Sequence, residues 1–377
     1  MWTNIFYYVS FLKYLFLNIN MIFIVFFLCI TTVLCAGGPS ITLKDGKIKG
    51  VMVRSEREKI NYYSYIGIPY AKPPIGNLRM QAPEPVEPWQ GTFMATNNNK
   101  VCYQISSKVH IPQDEDCLTI NVYTPVKPEE TNNLPVIVTI YGGSFTHGYA
   151  SIGPKVGSNY VEAGIILVTF NYRVGPFGFL STGDELIRGN MGLKDQLLAL
   201  KWVQKNIHLF GGDPKKVTIK GQSAGSASVT YHILSPASKG LFRAAIGNSG
   251  SALNSFANTN RNALHIARGV AKSINGSLGF NSSPQQIYDL LMNVDAETIH
   301  ATQEYYNGFA PVLEAEHPGA FITEPMYELV KSGRINNVPL LIGFNSEEYI
   351  LLAGSPEKLE SLGRKYDNDV STLYQAV

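Results

Sequence analysis

The sequence predicts an α/β protein in which helices flank a mostly parallel central sheet. Two stretches, residues 135–141 and 164–171, are nearly continuous apolar runs rich in valine and isoleucine. Such runs are typical of central strands that are covered on both faces. Segments with helical spacing alternate with the strands along the chain, which is the pattern of an open α/β sheet. No linker divides residues 36–377, so a single domain is expected.

The individual elements follow from local patterns, in chain order. Short β-like segments come first, at residues 47–53 and 61–66, and an irregular proline-rich stretch precedes a clear strand at 118–123. Residues 190–210 carry their leucines mostly on one side, which predicts a long amphipathic helix. The remaining predicted elements are a strand at 217–220, a helix at 224–234, a strand at 244–247, helices at 261–274 and 284–293, and a strand at 338–343.

Composition limits the classes of function. The 377 residues include 31 Lys and Arg against 29 Asp and Glu, a net charge of +2 that argues against a basic nucleic-acid binder. Apolar residues make up 45% of the chain, which is normal for a folded protein. The cysteines and histidines do not stand at metal-ligand spacing, so no metal site is expected. No organic cofactor is implied either.

Residues 1–35 have the composition of a leader. A dense apolar run at 21–30 is followed by small residues, and Cys35 fits the last position before a cleavage at Ala36. Met21 is an alternative start, because the stretch from Met21 onward is itself a plausible signal. We therefore expect a cleaved signal peptide and a secreted protein. An uncleaved anchor is the alternative, and only in that case is a membrane a partner.

Cleavage would leave Cys102 and Cys117 of the four cysteines. An even pair in a secreted protein predicts a disulfide, and two buried free thiols are the alternative. Asn275 and Asn281 each begin an Asn-x-Ser sequon in a polar stretch. Both are therefore expected to carry glycans after export.

A candidate nucleophile lies where a predicted strand meets a predicted helix. The segment Gly221-Gln222-Ser223-Ala224-Gly225 has the Gly-x-Ser-x-Gly pattern of a nucleophile elbow. A serine held at such a sharp turn has a strained backbone, and side chains two residues away on either side would collide with it. The following helix begins at the serine, so its dipole favours developing negative charge there. An ordinary glycine-rich turn is the alternative.

A second glycine-rich turn follows the strand at 135–141. Its residues, Tyr141-Gly142-Gly143-Ser144-Phe145, would expose successive backbone N–H groups at the end of a strand. Donors of this kind stabilise the oxyanion of a tetrahedral intermediate. A plain strand-to-loop turn is the alternative.

Two longer segments resemble the signatures of the type B carboxylesterases, the cholinesterase-like group of the α/β-hydrolases. Residues 210–225 resemble the active-serine signature, and residues 115–125 resemble the second signature. The resemblance extends over residues 40–355, and the chain is similar to the secreted insect-type members of the group. It implies a serine carboxylesterase that hydrolyses small-molecule esters through an acyl-enzyme. The alternative is a non-catalytic binding or adhesion module of the same group, but such modules typically lack the nucleophile.

The resemblance also implies roles for particular residues. Ser223 would be the nucleophile, and the N–H groups of Gly143, Ser144 and Ala224 would hold the oxyanion. Ser144 stands where the family has a third glycine, so its side chain is expected to narrow the pocket. Two structural ion pairs are implied as well, Arg79 with Glu115 and Arg173 with Asp195.

The resemblance indicates Glu348 as the acid that orients the catalytic histidine, with Glu347 as its rival. All seven histidines precede Glu348 in the sequence. His147 and His317 lie in the wrong chain order to act as the base in this fold. The sequence therefore predicts a chain that ends before the base and the last strands and helices, and that is inactive as it stands.

Overall fold

The computed structural model describes residues 38–346 and residue 348, except for residues 99, 106–110, 129, 131, 151–152, 259–262 and 303–307. The chain divides into two units, Met1–Pro39 and Ser40–Val377, and every element below belongs to the second. The predicted signal peptide and its cleavage site lie outside the described residues.

The described residues form a central sheet of eight strands. Five of these strands are parallel neighbours, and the other three continue the sheet on one side in antiparallel fashion. In spatial order the strands are β3 (Val51–Arg54), β4 (Asn61–Pro69), β6 (Thr119–Thr124), β8 (Ile166–Phe170), β7 (Leu134–Ile140), β9 (Gly212–Gln222), β10 (Ala244–Asn248) and β11 (Leu340–Gly343). A smaller sheet contains β1 (Ser40–Thr42), β2 (Lys47–Lys49) and β5 (Thr92–Met94).

Helices occupy the connections between the strands. Those described are α1 (Ser158–Glu162), α2 (Gly175–Phe179), α3 (Met191–Asn206), α4 (Ala224–Leu234), α5 (Ala263–Ile274), α6 (Pro284–Asn293), α7 (Ala296–His300) and α8 (Met326–Ser332). The helix expected at 190–210 is α-helical only to Asn206 and then tightens into a 3₁₀ turn, Ile207–Phe210. The turn ends at Gly211, whose φ of 81° leaves the helical region.

The core lies on both faces of the parallel strands. Every residue of β8 is buried, and so is every residue of α4, which packs against β9 and β10. A helix that is buried on every side lies in the interior of a protein, and its few polar side chains, such as those of Ser228 and His232, are hydrogen-bonded there. Since α4 begins directly after Ser223, the candidate nucleophile is attached to one of the most buried elements of the fold.

Candidate active site

The three candidate segments, namely the 141–145 turn, the turn at Ser223 and the segment that follows β11, lie close together because their strands belong to one parallel set. The β7, β9, β10 and β11 strands all end at the same edge of the sheet. Pairing of Ile140 with Gly221 brings the 141–145 turn beside Ser223. Pairing of Asn248 with both Gln222 and Gly343 brings the end of β10 between Ser223 and the segment that follows β11. Ligand sites of α/β proteins lie at such carboxyl edges.

Ser223 lies at a strained turn between β9 and α4. Its φ of 56° and ψ of −124° are unusual for a residue with a side chain, at a cost of about 1–3 kcal/mol. The flanking glycines make the turn possible. A Cβ on Gly221 would lie 2.1 Å from the carbonyl oxygen of Gly225, and one on Gly225 would lie 2.2 Å from that of Ile140. This is the geometry that the elbow hypothesis requires.

The 141–145 turn lies directly against the nucleophile. A Cβ on Gly142 would be 3.2 Å from the Cβ of Ser223. Two successive non-glycine residues have positive φ, Ser144 at 54° and Phe145 at 61°. The side chain of Ser144 is exposed, so packing of this side chain in the core does not cause the strained backbone conformation. The sequence pattern does not predict this strain, because positive φ values are usually found at glycine and both residues carry a side chain.

The carbonyl of Gly143 accepts hydrogen bonds from three donors. The backbone N–H groups of Thr146 and His147 donate to it at 2.9 and 3.1 Å, and the Thr146 hydroxyl donates at 3.2 Å. Within the described part of the chain, no group accepts from the N–H of Gly143, Ser144 or Ala224. The Ala224 N–H is one of the donors that a helix leaves free at its first turn.

Glu348 lies close to the end of β10 and is half-buried. Its Oε1 accepts from the Ser249 hydroxyl at 2.5 Å and from the Asn345 N–H at 2.7 Å. These hydrogen bonds, with that of Ser249 the strongest influence, hold the pKa of Glu348 below its ordinary value. Among the described residues, no group donates to Oε2. Glu347, the rival acid, lies outside the described residues.

Ser249 is a residue of the candidate site that the sequence reasoning missed. It follows β10 with a φ of 55°, and its N–H donates to the Gly343 carbonyl at 2.8 Å. Its hydroxyl thereby reaches Glu348 across the gap between two strand ends. The available signal was weak, because a serine after a short strand is common in ordinary turns.

The described histidines do not complete a triad, since none of them hydrogen bonds to Ser223 or Glu348. His110 lies outside the described residues. The other six are satisfied elsewhere or exposed: His147 bonds Thr146, His232 bonds Ser238 and Gln196, His265 stacks on Phe280, His300 packs against Tyr103, His317 bonds Glu314, and His208 is exposed.

Covalent and ionic links support the surroundings of the site. Cys102 and Cys117 form the predicted disulfide, with their Cα atoms 5.0 Å apart. Both implied ion pairs are present and largely buried. They are Arg79 with Glu115, at 2.6 Å, and Arg173 with Asp195, at 2.7 Å.

Other predicted features have a definite place on the surface. Asn275 and Asn281 are both exposed, close to the α5–α6 connection.

In the described part of the chain, no helix is long and apolar enough to cross a membrane. No group of three or more potential metal-ligating side chains occurs among those residues either.

Comparison with known proteins shows which family the chain is similar to. The family model described as "Carboxylesterase family" matches residues 37–376. A juvenile hormone esterase of Tribolium castaneum is 39% identical over 90% of this chain and 61% of its own length. A carboxylic ester hydrolase of Bombus ignitus is 40% identical, over 88% and 61%. The pyrethroid hydrolase Ces2e of Rattus norvegicus is 37% identical, over 81% and 54%.

The chain thus spans about three fifths of the length of the first two relatives. The match covers the parallel sheet and all four strand ends at its carboxyl edge, which is the α/β-hydrolase architecture that the sequence predicted. The family match spans all of the described residues, and the first two relatives are 39% and 40% identical to this chain. The chain belongs to the carboxylesterase family.

Proposed function

We propose that this protein hydrolyses carboxylic esters through a covalent acyl-serine on Ser223. One observation carries the proposal: a serine at a strained turn lies beside the free N–H groups of Gly143, Ser144 and Ala224. Developing negative charge on an ester carbonyl oxygen would be stabilised by such donors. The relatives' names include a juvenile hormone esterase, a carboxylic ester hydrolase and a pyrethroid hydrolase. We therefore propose small-molecule esters as the substrate class.

The reaction would proceed in two steps. The Ser223 oxygen bonds to the ester carbonyl carbon, its proton passes to a general base, and the alkoxide leaves as an alcohol after protonation by that base. Water then loses a proton to the same base and bonds to the acyl carbon, which releases the carboxylic acid and restores the Ser223 hydroxyl. The oxyanion that forms in each step is held by the same N–H groups.

Glu348 would orient the base. Its lowered pKa keeps the carboxylate charged at neutral pH, and its Oε2 is available while Oε1 is held by Ser249 and Asn345. The base itself is a histidine in triads of this order. Since no described histidine reaches Ser223 or Glu348, we propose that the 377 residues by themselves do not turn over esters.

A fluorophosphonate probe tests the nucleophile. In the complete natural protein it should label Ser223, and Ser223→Ala should abolish both labelling and hydrolysis of p-nitrophenyl acetate. Ser255→Ala, at an exposed serine in the segment that follows β10, should leave both intact. Labelling at another serine, or hydrolysis that survives in Ser223→Ala, contradicts the proposal. The 377-residue chain should be labelled at a negligible rate.

A matched pair of variants tests the acid. Glu348→Gln should lower kcat by about 10³-fold or more, as the loss of a triad acid does. Glu347→Gln, one residue earlier, should change kcat by less than about twofold if it has no part in orienting the base. A larger loss from Glu347→Gln than from Glu348→Gln would reverse the assignment.

We also propose that the protein is secreted after cleavage before Ala36 and carries glycans at Asn275 and Asn281. The Asn275 Oδ1 accepts from the N–H and hydroxyl of Ser277 at 3.1 and 2.8 Å, and both asparagines are exposed. Expression of the complete protein in insect cells should release it into the medium. Asn275→Gln and Asn281→Gln should each remove one glycan in mass spectra. Retention in the cell, or an unmodified peptide at both sites, contradicts this proposal.

A further inference from the structure

The turn that carries Gly143 and Ser144 needs external support. Its two successive positive φ values, at Ser144 and Phe145, are unfavourable for residues with side chains. Strained conformations persist only where surrounding contacts hold them. Contacts at the two ends of the turn provide this support.

The beginning of the turn is held by a reciprocal pair of tyrosines. The Tyr172 hydroxyl donates to the Tyr141 carbonyl at 2.8 Å, and the Tyr141 hydroxyl donates to the Tyr172 carbonyl at 2.6 Å. The Tyr172 N–H also donates to the Tyr141 hydroxyl at 3.2 Å. Their rings stack with centroids 4.1 Å apart and planes 14° apart. Burial raises the pKa of both phenols, so both remain O–H donors at all working pH values.

The end of the turn is held by the same neighbouring segment. The Gly175 N–H donates to the Phe145 carbonyl at 2.7 Å. Residues 171–175, which follow β8, thus contact the turn at its first and last residues. The Tyr141 carbonyl also lies close to α4, since a Cβ on Gly225 would be 2.9 Å from it. The Tyr172 hydroxyl therefore acts at the junction between the turn and the helix that begins after Ser223.

Residues 171–175 are themselves firmly anchored. Asp195 of α3 accepts from the N–H, Nε and Nη2 of Arg173 at 2.7–3.0 Å, and both side chains are at most 3% exposed. The Asn171 N–H donates to the Thr119 carbonyl at 2.9 Å. A segment tied to a buried helix and to a central strand can hold the turn in a fixed position.

We infer that Tyr141 and Tyr172 are positioning residues that hold the Gly143 and Ser144 N–H groups where the oxyanion forms. The inference rests on the proposed esterase function. The tyrosines would not contact the substrate, so their hydroxyls should matter to the transition state rather than to substrate binding. Loss of positioning should therefore appear in kcat and not in KM.

The test uses Tyr172→Phe and Tyr141→Phe in the complete natural protein. Each variant removes one hydroxyl and keeps the stacked ring. We expect kcat to fall by about 10- to 100-fold, as small displacements of catalytic groups produce, with KM changed by less than about twofold. The inhibition constant of a trifluoromethyl ketone, which forms an oxyanion on Ser223, should rise by a similar factor.

Tyr62→Phe is the matched control. Tyr62 is also fully buried, and its hydroxyl donates to the Pro154 carbonyl at 2.6 Å. Tyr62→Phe should lower the melting temperature by about as much as Tyr172→Phe does, while its kcat stays equal to that of the wild type. Equal kcat in Tyr172→Phe and wild type, or equal loss in Tyr172→Phe and Tyr62→Phe, overturns the inference. If Ser223→Ala hydrolyses esters as well as the wild type does, the proposed function fails and this inference fails with it.

Discussion

At the scale of single residues, the site depends on backbone geometry as much as on side-chain chemistry. The sharp turn at Ser223 is possible because Gly221 and Gly225, two residues before and after it, lack a Cβ. At those positions the obstacle is main chain, which cannot rotate aside as a flexible side chain does. Glycine is thus a steric requirement at Gly221 and Gly225, and the Gly-x-Ser-x-Gly pattern is the trace of that requirement in the sequence.

Substitution of one glycine tests this directly. Gly225→Ala places a Cβ 2.2 Å from the Ile140 carbonyl oxygen, so either β7 or α4 must move. We expect the free energy of unfolding, measured by urea denaturation, to fall by about 3 kcal/mol. Fluorophosphonate labelling of Ser223 should be lost as well. Gly279→Ala, where no atom lies within 4 Å and φ is not positive, should be neutral on both counts.

A buried histidine should make the stability depend on pH. His232 of α4 is fully buried between Ser238 and Gln196, and burial lowers its pKa from 6.5 to about 3. The unfolded chain therefore binds a proton that the folded chain rejects as the pH falls from about 6.5 toward about 3. This part of the stability is complete above pH 6.5 and is lost progressively below it.

Urea denaturation at pH 7 and pH 5 measures this effect. The wild type should lose stability between the two values, and His232→Gln, which keeps an amide to bond Gln196 and Ser238, should lose clearly less. Identical pH dependence in the two proteins would show that His232 is not the group responsible. Exposed His208→Gln is the control and should behave like the wild type.

At the scale of elements, α3 connects the site to the rest of the fold. Asp195 on this helix holds Arg173, and Gln196 beside it donates to the Ser228 hydroxyl of α4 at 3.1 Å. One helix thus fixes both the segment behind the 141–145 turn and the helix behind Ser223. The sequence indicated the Arg173–Asp195 pair but not the Gln196 contact, because contacts between helices depend on packing angles that a pattern does not contain.

Removal of one partner from the buried pair should be costly. Asp195→Asn leaves the Arg173 guanidinium without a counter-charge, and we expect the free energy of unfolding to fall by about 3–5 kcal/mol. Lys155→Ala breaks an exposed pair with Glu56 and should cause no measurable change. Similar losses in the two variants, compared by urea denaturation, would show that burial of the pair is unimportant.

At the scale of the whole molecule, β11 is the most exposed strand of the central sheet. Leu341 of this strand is 68% exposed, and Phe344, directly after the strand, is 84% exposed. In the described part of the chain only β10 pairs with β11. An apolar strand with an open edge is a template for pairing with a second chain. The tendency to pair with a second chain depends on the position of β11 in the sheet, because a strand of the same apolar residues with both edges paired would lie in the core.

Residues 36–377 expressed alone should therefore self-associate. Sedimentation velocity at rising protein concentration should show species larger than a monomer, and Leu341→Lys should reduce them because a charged edge resists pairing. Ile75→Lys removes a similarly exposed apolar residue outside the strands and should leave the association unchanged. A monomer at all concentrations would contradict this expectation.

The sequence by itself determined the class of fold, the central strands and the family. Apolar runs in β7 and β8 and the glycines around Ser223 are local requirements, so they are visible in the order of residues. The α1, α2, α7 and α8 helices were not predicted, because five to seven residues are too few to establish a helical period. The end of α3 was misplaced because the turn that follows it keeps nearly the same apolar spacing.

Only the tertiary structure decided how the site is held together. Strand pairing brings Ser223, Ser249 and Glu348 together from positions up to 125 residues apart. Their spacing in the sequence does not indicate that they lie close together in space. The strain at Ser144 and the reciprocal bonds of Tyr141 and Tyr172 are equally invisible in a pattern. A pattern records what each residue requires locally, whereas these contacts depend on which strand ends the parallel sheet places next to each other.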